Sequence, residues 1–369
     1  MKVAIMINTS WNIYNFRRGL IKAILDRGDE VVAIAPSDDY SHRLLELGCT
    51  FRELEMSASG MNPVTDFGLI LKMRSILKEE RPDVLLTYTI KPNIYGSLAS
   101  SGLKIPCVCN VSGLGTVFLW TGTVKKVAVA LYKRAFKRNS WVFFQNDEDR
   151  EEFLKLIPIS RDKTSLLPGS GIDTNHFQPI KSSGNSSPIF TMIGRLIVEK
   201  GIYDFIEAAR IVKKKKPEVK FRLIGELDES HSRSIEKSEL ESWIAEDLIE
   251  YVPHLTDVRD AIATSDAVVL PSYREGTPRT LLEAGAMAKA MIATDVPGCR
   301  HVVIDGQNGF LCKLKSPKDL AAKMLLFLAL SKEERAQMEL TSRKLIVEKF
   351  DERIVVDHYL KLIDQLLNY

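Results

Sequence analysis

The sequence predicts an α/β fold with two similar domains, each built on a parallel sheet. Short apolar runs of strand length alternate with segments whose apolar residues recur at helical spacing. The alternation stops and restarts around residues 179–188, a stretch rich in serine, glycine and proline. Such alternation is typical of parallel sheets covered by helices on both faces. We therefore expect domains over residues 1–180 and 181–353, and leave open whether a final helix over Ile354–Leu367 packs back on the first domain.

The first domain opens with a β-α-β unit. Strands are predicted over Val3–Ile7 and Val31–Ala35, on either side of a helix over Asn15–Arg27. Further strands are predicted over Thr50–Leu54, Asp83–Thr87, Pro106–Val111, Trp141–Gln145 and Thr164–Leu167. Further helices are predicted over Phe67–Glu80, Ile94–Ser101 and Val124–Arg138.

A second series of predicted strands and helices begins at Ile189. The strands predicted in the second domain are Ile189–Ile193, Val219–Ile224, Ile249–Val252, Ala267–Leu270 and Met291–Thr294. Its predicted helices are Ile202–Lys214 and Pro278–Lys289. No sequence repeat relates the two domains.

Composition is that of a globular protein. The chain has 369 residues, 45% hydrophobic and 27% charged, which excludes disorder and collagen and allows two domains. Five cysteines form no C-x-x-C pair and no metal-ligand cluster, so we interpret them as reduced, mostly buried thiols of a cytosolic protein. No run has the length of a signal peptide core or of a membrane span. The net charge is only +3, which by itself suggests nothing about partners, and we expect no nucleic-acid partner.

The charge is uneven along the first domain. From Val84 to Asn146 there is no aspartate or glutamate, while eight lysines and arginines lie inside. The helix predicted over Val124–Arg138 would place Val127 on its apolar face and lysines opposite, and the apolar segment Phe118–Trp120 precedes it. This helix either lies near an anionic membrane surface or packs on the core with a lysine-rich exterior.

Two carboxylates bracket a predicted helix start in the second domain. Glu275 lies in a loop after a buried strand, and Glu283 lies inside the helix, with Thr277 expected as the N-cap and Pro278 as the first helical residue. A helix N-terminus favours a phosphate. The two carboxylates would be separated by roughly 10 Å along the helix axis direction, at about 1.5 Å per residue. By themselves they could also be a general acid and base for hydrolysis.

Two cations follow the first strand of the second domain. Arg195 and Lys200 occur in IGRLIVEKG, where they could bind a diphosphate or simply form an exposed pair. Their position at the carboxyl end of a strand favours the diphosphate, because open α/β sheets bind ligands at that edge.

Other motifs are better explained as structural features than as metal, dinucleotide or catalytic sites. Asp147 and Asp149 form a D-x-D, the pattern of some metal sites, but Asn146 can cap a helix whose first turn they would make acidic. Gly113 and Gly115 miss the spacing of a dinucleotide-binding motif. No histidine pairs recognisably with serine or cysteine, so a hydrolase triad is not supported.

The motifs EGTPRTLLEAGAMAKAMIATDVPGCRHVVIDGQNGFL, IGRLIVEKGIYDFIEAA and LLPGSGIDTNHFQP together resemble the retaining GT-B glycosyltransferases of family 4. NIYNFRRGLIKAIL, TYTIKPNIYG and SGLGTVF are similar to the bacterial members that extend polyprenyl-diphosphate-linked saccharides with N-acetylgalactosamine or hexose. The resemblance implies two Rossmann-like parallel-sheet domains facing across a cleft.

The resemblance also implies roles for individual residues. Arg195 and Lys200 would neutralise the donor diphosphate and Glu275 would face the transferred sugar, so that these three form the catalytic set without a metal or other cofactor. Glu283 would accept hydrogen bonds from the ribose hydroxyls. The other donor-binding residues would be Gly276, Thr277, Pro278, Arg279 and Gly225. The acceptor would enter past Asn15, Arg17 and Lys91.

Two positions depart from the family pattern. His301 stands where glutamate is usual, and Ile90 takes the place of a first-domain histidine that many relatives carry near the sugar. A histidine proton relay is therefore not expected, and an oxygen of the leaving phosphate could take the acceptor proton.

The expected function is transfer of a hexose or N-acetylhexosamine from a UDP-sugar to a polyprenyl-diphosphate-linked saccharide in bacterial surface polysaccharide or glycan assembly. We expect the protein in the cytoplasm, peripheral at the inner face of the cell membrane, with the anionic membrane surface as a partner. The alternatives are a UDP-sugar 2-epimerase on a similar scaffold and a non-catalytic protein that binds a membrane or a partner.

Overall fold

The computed structural model describes residues 1–56, 63–113, 123–137, 141–181 and 187–367. The chain forms two compact units, one of Met1–Gly171 with Glu352–Tyr369 and the other of Ile172–Asp351. The predicted boundary between residues 180 and 181 falls inside the second unit. The chain enters that unit at Ile172, whose amide donates to the carbonyl of Phe350 (2.9 Å) and which bridges Asp351 in parallel.

The first unit contains a seven-stranded, fully parallel sheet. Its strands are β1 (Lys2–Met6), β2 (Glu30–Ala35), β3 (Thr50–Glu53), β4 (Val84–Tyr88), β5 (Cys107–Val111), β6 (Trp141–Phe144) and β7 (Thr164–Leu166). Their order in space is β3-β2-β1-β4-β5-β6-β7. Ala4 and Met6 lie in one hydrophobic cluster and Val3 and Ile5 in another, because successive side chains of a strand point to opposite faces. The sheet is thus buried on both faces.

Helices connect these strands. They are α1 (Ser10–Asp26), α2 (Ser41–Glu46), α3 (Pro63–Glu80), α4 (Ser97–Ser101), α5 (Thr123–Phe136) and α6 (Asp147–Leu156). A π-helical turn, Pro92–Gly96, leads into α4, and a 3-10 turn, Arg161–Lys163, precedes β7. The predicted cap of α6 is confirmed, since the Asn146 side chain accepts from the amide of Asp149 at 2.7 Å.

The second unit contains a six-stranded parallel sheet. Its strands are β8 (Ile189–Ile193), β9 (Lys220–Ile224), β10 (Glu250–Val252), β11 (Ala267–Leu270), β12 (Ala290–Thr294) and β13 (Gly309–Cys312). Their order is β10-β9-β8-β11-β12-β13. The helices are α7 (Ile202–Lys215), α8 (Lys237–Ala245), α9 (Arg259–Ala263), α10 (Arg279–Ala286), α11 (Pro297–Arg300), α12 (Pro317–Ala329) and α13 (Lys332–Lys349).

The last helix belongs to the first unit. It is α14 (Glu352–Leu367), which buries Val355, Tyr359, Leu362 and Ile363 in the same hydrophobic cluster as the buried residues of α1. The question that the sequence left open is thereby settled: the final helix packs back on the first unit.

The fold class predicted from the sequence is confirmed: each unit is a Rossmann-like α/β domain with a parallel sheet. In each sheet, the second and third strands of the chain lie on one side of the first strand, and all later strands lie on its other side. The order therefore switches between β1 and β4 in the first unit and between β8 and β11 in the second. In open α/β sheets, ligands bind outside the carboxyl ends of the strands at such a switch point.

One prediction about α5 was wrong. Val127, expected on the apolar face, is exposed, and the buried stripe is Ala128, Tyr132, Ala135 and Phe136. The aromatic residues of this stripe pack on Phe153 of α6, which rotates the helix away from the face that the small apolar residues suggested. The segment Phe118–Trp120, Gly115 and Arg138 lie outside the described residues.

The five cysteines are buried thiols that form no disulfide in the described part of the chain, as the sequence indicated. No helix in the described ranges is both long and apolar enough to cross a membrane.

Arg343 on α13 joins three segments of the second unit. Its guanidinium donates to the carbonyls of Phe177 (2.8 Å), Ala286 (2.5 Å) and Thr174 (2.9 Å). Residues 174–177 follow the entry of the chain into this unit, and Ala286 is the last residue of α10. Arg343 therefore fixes both the entry segment and the far end of α10.

We predict that Arg343→Lys lowers the thermal midpoint of the second unit, because one ammonium group cannot replace a guanidinium that bonds three carbonyls in two separate segments. A loss of about 2 kcal/mol from charged hydrogen bonds corresponds to a fall of about 4–8 °C in Tm for a unit of this size. Scanning calorimetry measures it. The control is Lys344→Ala on the same helix, whose side chain is 74% exposed. An unchanged midpoint for Arg343→Lys would contradict this role.

Candidate functional site

The switch point of the second unit gathers the residues that the sequence singled out there. Arg195 and Lys200 follow β8, and Glu275 and the start of α10 follow β11, the neighbouring strand. Both strands are parallel, so their carboxyl ends meet at one edge of the sheet. Thr280 in the first turn of α10 donates to the carbonyl of Ile193 (3.3 Å), the last residue of β8.

Gly201 allows the loop after β8 to contact the loop after β11. It adopts φ 78°, in the left-handed region, and a Cβ atom there would lie 2.0 Å from the carbonyl oxygen of Pro271. The amide of Tyr273 donates to the carbonyl of Glu199 at 2.8 Å. A side chain at position 201 would force the loops apart, so glycine is needed for both its conformation and its size.

Lys200 and Glu275 form an ion pair across these loops. The Nζ atom lies 2.5 Å from Oε1 of Glu275, and the side chains are 23% and 12% exposed. The sequence assigned them separate roles, one toward the diphosphate and one toward the sugar. The structure shows that each holds the other in position. A ligand that takes Lys200 must therefore compete with Glu275.

The loop that carries Glu275 is backed by α11. A Cβ atom on Gly298 would lie 2.2 Å from the carbonyl oxygen of Gly276 and 2.6 Å from that of Glu275. Cys299 is fully buried beside it. Burial raises the pKa of the Cys299 thiol, the carboxylate of Glu275 adds to this rise, and Lys200 opposes it. The thiol therefore lies close to the ion pair and stays protonated.

Arg279 and Glu283 form a second ion pair, one turn apart on α10. The Nε atom of Arg279 lies 3.0 Å from Oε1 of Glu283. Burial raises the pKa of Glu283, and the adjacent guanidinium of Arg279 opposes the rise. Glu283 is thus an ionisable acceptor in a poorly solvated position, which suits hydrogen bonds from ligand hydroxyls.

The predicted capping of α10 was wrong by one residue. The helix begins at Arg279, and Pro278 is the N-cap with extended ψ of 113°, while no described side chain caps the end. The carbonyl of Pro278 accepts from the amides of Leu281 and Leu282. Thr277 lies in the preceding loop, because the extended conformation of Pro278 delays the helical turn.

Arg195 and Gly225 complete the second-unit set. Arg195 is exposed just after β8 and forms no ion pair with any residue that the structure describes. Gly225 follows β9, and a Cβ atom there would lie 1.9 Å from the carbonyl oxygen of Gly194. Gly225 therefore allows the turns after β8 and β9 to pack against each other directly beneath Arg195.

Sequence reasoning missed the residues that hold the Glu275 loop from its other side. Tyr273 hydrogen-bonds to Asp204 on α7, and the Nζ atom of Lys315 lies 4.9 Å from the Tyr273 ring centroid. Burial raises the pKa of Asp204. Glu199 also pairs with Arg233 at 2.7 Å. These partners come from distant segments, so no local pattern could have identified them.

The three residues predicted to bind an acceptor lie in the first unit in different environments. Asn15 donates to the carbonyl of Trp11 at 2.9 Å. Lys91 lies 3.4 Å from the buried carboxylate of Asp66. Arg17 is buried, with its guanidinium 4.1 Å from the ring centroid of Tyr88. None of the three is a fully solvated cation or amide.

The second-unit site is electrostatic in character. Two cations, two carboxylates and a helix N-terminus surround the switch point, and this combination can bind a diphosphate and stabilise its departure. Within the described ranges, no three histidine, cysteine or acidic side chains are placed to hold a metal ion. His301 is exposed at the end of α11.

Two family descriptions match the chain, one in each half. Residues 173–345 match the family described as glycosyl transferases group 1. Residues 15–169 match the glycosyl transferase 4-like domain.

Curated relatives match the whole chain or about two thirds of it. An N,N'-diacetylbacillosaminyl-diphospho-undecaprenol α-1,3-N-acetylgalactosaminyltransferase of Campylobacter jejuni is 30% identical, with 100% of this chain and 99% of that protein covered. A UDP-Gal:α-D-GlcNAc-diphosphoundecaprenol α-1,3-galactosyltransferase of Escherichia coli is 26% identical over 68% of this chain and 67% of that protein.

Solved structures share the fold. A glycosyltransferase from Rickettsia africae superposes with a TM-score of 0.82 at 17% identity, covering 99% of this chain and 98% of that one. HepE of Anabaena, solved in complex with UDP, superposes with a TM-score of 0.81 at 18% identity, covering 99% and 100%. These likenesses show the fold, and the prediction of two Rossmann-like parallel-sheet domains is confirmed.

We predict that Gly201→Ala destabilises the second unit more than Gly306→Ala does. Both glycines have positive φ, 78° and 75°, but Gly306 has no atom within 4 Å of a new Cβ, whereas Gly201 faces the Pro271 carbonyl. The control therefore reports the cost of the left-handed conformation, about 1 kcal/mol. The clash should add to it a loss of several degrees in Tm. Equal melting temperatures for the two variants would show that the loops do not need this close approach.

Proposed function

The chain belongs to the group 1 glycosyl transferases, with a first domain of the glycosyl transferase 4-like type, and on this premise we propose its substrates and mechanism. It transfers a hexose or N-acetylhexosamine from a UDP-sugar to a polyprenyl-diphosphate-linked saccharide, in assembly of a bacterial surface polysaccharide or glycan. The family assignment favours this function over the 2-epimerase and the non-catalytic alternatives.

The observation that carries the proposal is the Lys200–Glu275 pair at the switch point of the second unit. A diphosphate that replaces Glu275 as the partner of Lys200 also meets Arg195 after the same strand. The released carboxylate then faces the sugar that the diphosphate carries. The relatives support the donor, because one is named for a UDP-galactose reaction and another is solved with UDP.

The donor binds along α10, with its diphosphate at the helix N-terminus and its ribose at Glu283. The loop Gly276–Pro278 and the N-terminus of α10 face the diphosphate, while Glu283 accepts hydrogen bonds from the ribose hydroxyls. Burial raises the pKa of Glu283, and the adjacent Arg279 opposes that rise. Gly225 contributes indirectly, because its lack of a side chain lets the turns after β8 and β9 pack together beside Arg195.

The transfer step needs charge stabilisation more than proton transfer by a side chain. The bond between the anomeric carbon and the diphosphate oxygen breaks, and its electron pair leaves on UDP, where Arg195 and Lys200 stabilise it. An acceptor hydroxyl forms the new bond to the anomeric carbon on the same face. Its proton passes to an oxygen of the leaving phosphate, so the anomeric configuration is retained.

The acceptor binds the first unit, past Asn15, Arg17 and Lys91. The names of two relatives support a lipid-linked acceptor, since both specify a saccharide on diphosphoundecaprenol. We place the protein at the inner face of the cell membrane, held there by the basic exterior of α5. Lys126, Lys133 and Arg134 are exposed on this helix, and Lys137 is exposed directly after it.

The test of the proposal is an assay with a panel of UDP-sugars and polyprenyl-diphosphate-linked mono- and disaccharides, with the product identified by its mass. One UDP-sugar and one acceptor should give a product that is heavier by one sugar residue. Absence of product from every combination would contradict the proposal, and products from soluble saccharides alone would exclude the lipid-linked acceptor.

We predict that Lys200→Ala and Glu275→Gln each lower kcat/KM about 10²–10³-fold or more, because each removes a group that interacts with the developing charge. The melting curves should remain close to that of the wild type, since both side chains are partly exposed. The double variant should lose little more than either single variant, because the two side chains act as a pair. Lys215→Ala, at the exposed end of α7, is the control. Full activity in either site variant would remove the pair from the reaction.

We predict that reversing the charge of Lys133 and Lys137 to glutamate weakens binding to vesicles that contain anionic lipid. Each lysine near such a surface contributes about 1 kcal/mol, so the loss of two lysines alone gives about 30-fold weaker partitioning in a sedimentation assay, and the two added carboxylates weaken it further. The matched control reverses Lys214 and Lys215 at the end of α7 in the second unit. Equal effects of the two pairs would show that α5 has no special role at the membrane.

A further inference from the structure

Arg17 is a buried cation with few partners. It is 6% exposed on α1, and it forms no ion pair with any residue in the described ranges. Of the five N–H donors of its guanidinium, one makes a hydrogen bond to a described residue, from Nη1 to the carbonyl of Phe16 at 2.9 Å. Its Nε atom is buried and has no hydrogen-bond partner among the residues that the structure describes. A buried guanidinium is costly unless an anion or several acceptors compensate for the lost water.

Aromatic side chains hold this guanidinium in place. It lies 4.1 Å from the ring centroid of Tyr88, which gives it a cation–π contact but no acceptor atoms. Behind Tyr88 lies Tyr359 of α14, whose hydroxyl accepts from the Asn110 side chain at 2.9 Å. The guanidinium is therefore fixed before any ligand arrives.

The position of this stack is the switch point of the first unit. Arg17 lies on the helix that follows β1, and Tyr88 is the last residue of β4, the neighbouring strand. The hydroxyl of Thr89, the next residue after β4, is also buried, and no residue in the described part of the chain hydrogen-bonds to it. The corresponding place in the second unit, between β8 and β11, carries Arg195, Lys200 and Glu275. Each unit thus has cationic groups where its sheet favours a ligand.

The other cation near this edge already has a partner. Lys91 lies 3.4 Å from Asp66, and the hydroxyl of Tyr95 donates to the same carboxylate at 2.7 Å. Arg17 differs from Lys91 because its planar fork retains donors for a bidentate anion such as phosphate.

We propose that Arg17, held by Tyr88 and Tyr359, binds the diphosphate of the lipid-linked acceptor at the switch point of the first unit. The inference rests on the proposed function for the identity of the acceptor, and on the uncompensated guanidinium for the chemistry of the group. A phosphate of any source would satisfy the same donors, so the experiment separates an acceptor diphosphate from free phosphate. Tyr88 and Tyr359 are positioning residues, since they act through Arg17.

The first measurement is calorimetric titration of geranyl diphosphate into the full chain that has been saturated with UDP, which occupies the donor site. The wild type should bind it, and Arg17→Met should bind about 100-fold more weakly, the usual scale for losing a bidentate charged contact. Arg18→Met removes the same charge from the next residue of α1 and is the matched control. Titration with inorganic phosphate should show weaker binding to the wild type, because one phosphate lacks the second group and the prenyl chain.

The second measurement compares transfer to a polyprenyl-diphosphate-linked saccharide with transfer to an alkyl glycoside of the same saccharide. Arg17→Met should lower kcat/KM about 100-fold for the first acceptor and change it less than about threefold for the second. Arg17→Lys keeps the charge and loses the fork, so it should fold and give an intermediate loss. Tyr88→Leu should raise KM for the diphosphate acceptor, with kcat retained.

The outcomes separate this inference from the proposed function. Binding of geranyl diphosphate that depends on Arg17, without transfer from any UDP-sugar, supports the Arg17 site and refutes the transferase reaction that we propose. No binding by the wild type, or equal binding by Arg17→Lys, Arg17→Met and the wild type, overturns the inference. Equal losses on both acceptors by a folded Arg17→Lys also overturn it, since they indicate a structural role.

Discussion

The ion pair between Lys200 and Glu275 is the interaction on which the candidate site of the second unit depends. It joins the loop after β8 to the loop after β11 at the switch point, and the two glycines at positions 201 and 298 allow the backbone approaches that bring the pair together. Around it, Tyr273 and Asp204 hold the Glu275 loop from the other side. The site is thus positioned by backbone contacts that tolerate no side chain, and its charge lies on groups that already restrain one another. Such preorganisation is what electrostatic stabilisation of a leaving group requires.

Both units carry cations at the switch point of their sheet, but the environments of these cations differ. In the second unit the cations at the switch point are exposed or paired across loops, so a ligand must displace a carboxylate. In the first unit the guanidinium of Arg17 is buried against an aromatic ring, with donors left over. The first arrangement suits a leaving group that must be released after each reaction. The second suits a group that is held while another part of the same molecule reacts.

Much of this could be predicted from the sequence, because the strands and helices have clear apolar periodicity. The alternation of β8 and α7 and the position of Arg195 and Lys200 after a strand placed those cations at the correct sheet edge. The pairing of Lys200 with Glu275 could not be predicted, since it depends on the approach of Gly201 to Pro271, two segments far apart in the chain. The start of α10 was misplaced because Pro278 is compatible with either the cap or the first turn.

Other elements were missed for local reasons. The strand β13 is four residues long, and α12 is apolar on most of its surface, so neither shows a clear period. The burial of Arg17 gave no local signal either, because an arginine between Phe16 and Arg18 reads as a solvated residue. Its environment is created by Tyr88 and by α14, which returns to the first unit from the end of the chain. Sequence patterns predict which charged residues lie at the carboxyl edge of a sheet. Only tertiary packing determines which of these residues form ion pairs.

The central claim is that Lys200 exchanges the Glu275 carboxylate for the donor diphosphate. Calorimetric titration of UDP, which carries the diphosphate but no sugar, tests it most directly. The account predicts that Lys200→Ala weakens UDP binding about tenfold or more, while Glu275→Gln leaves it equal or tighter because Lys200 no longer has a competing partner. Equal weakening in both variants, or no change in either, would contradict the exchange.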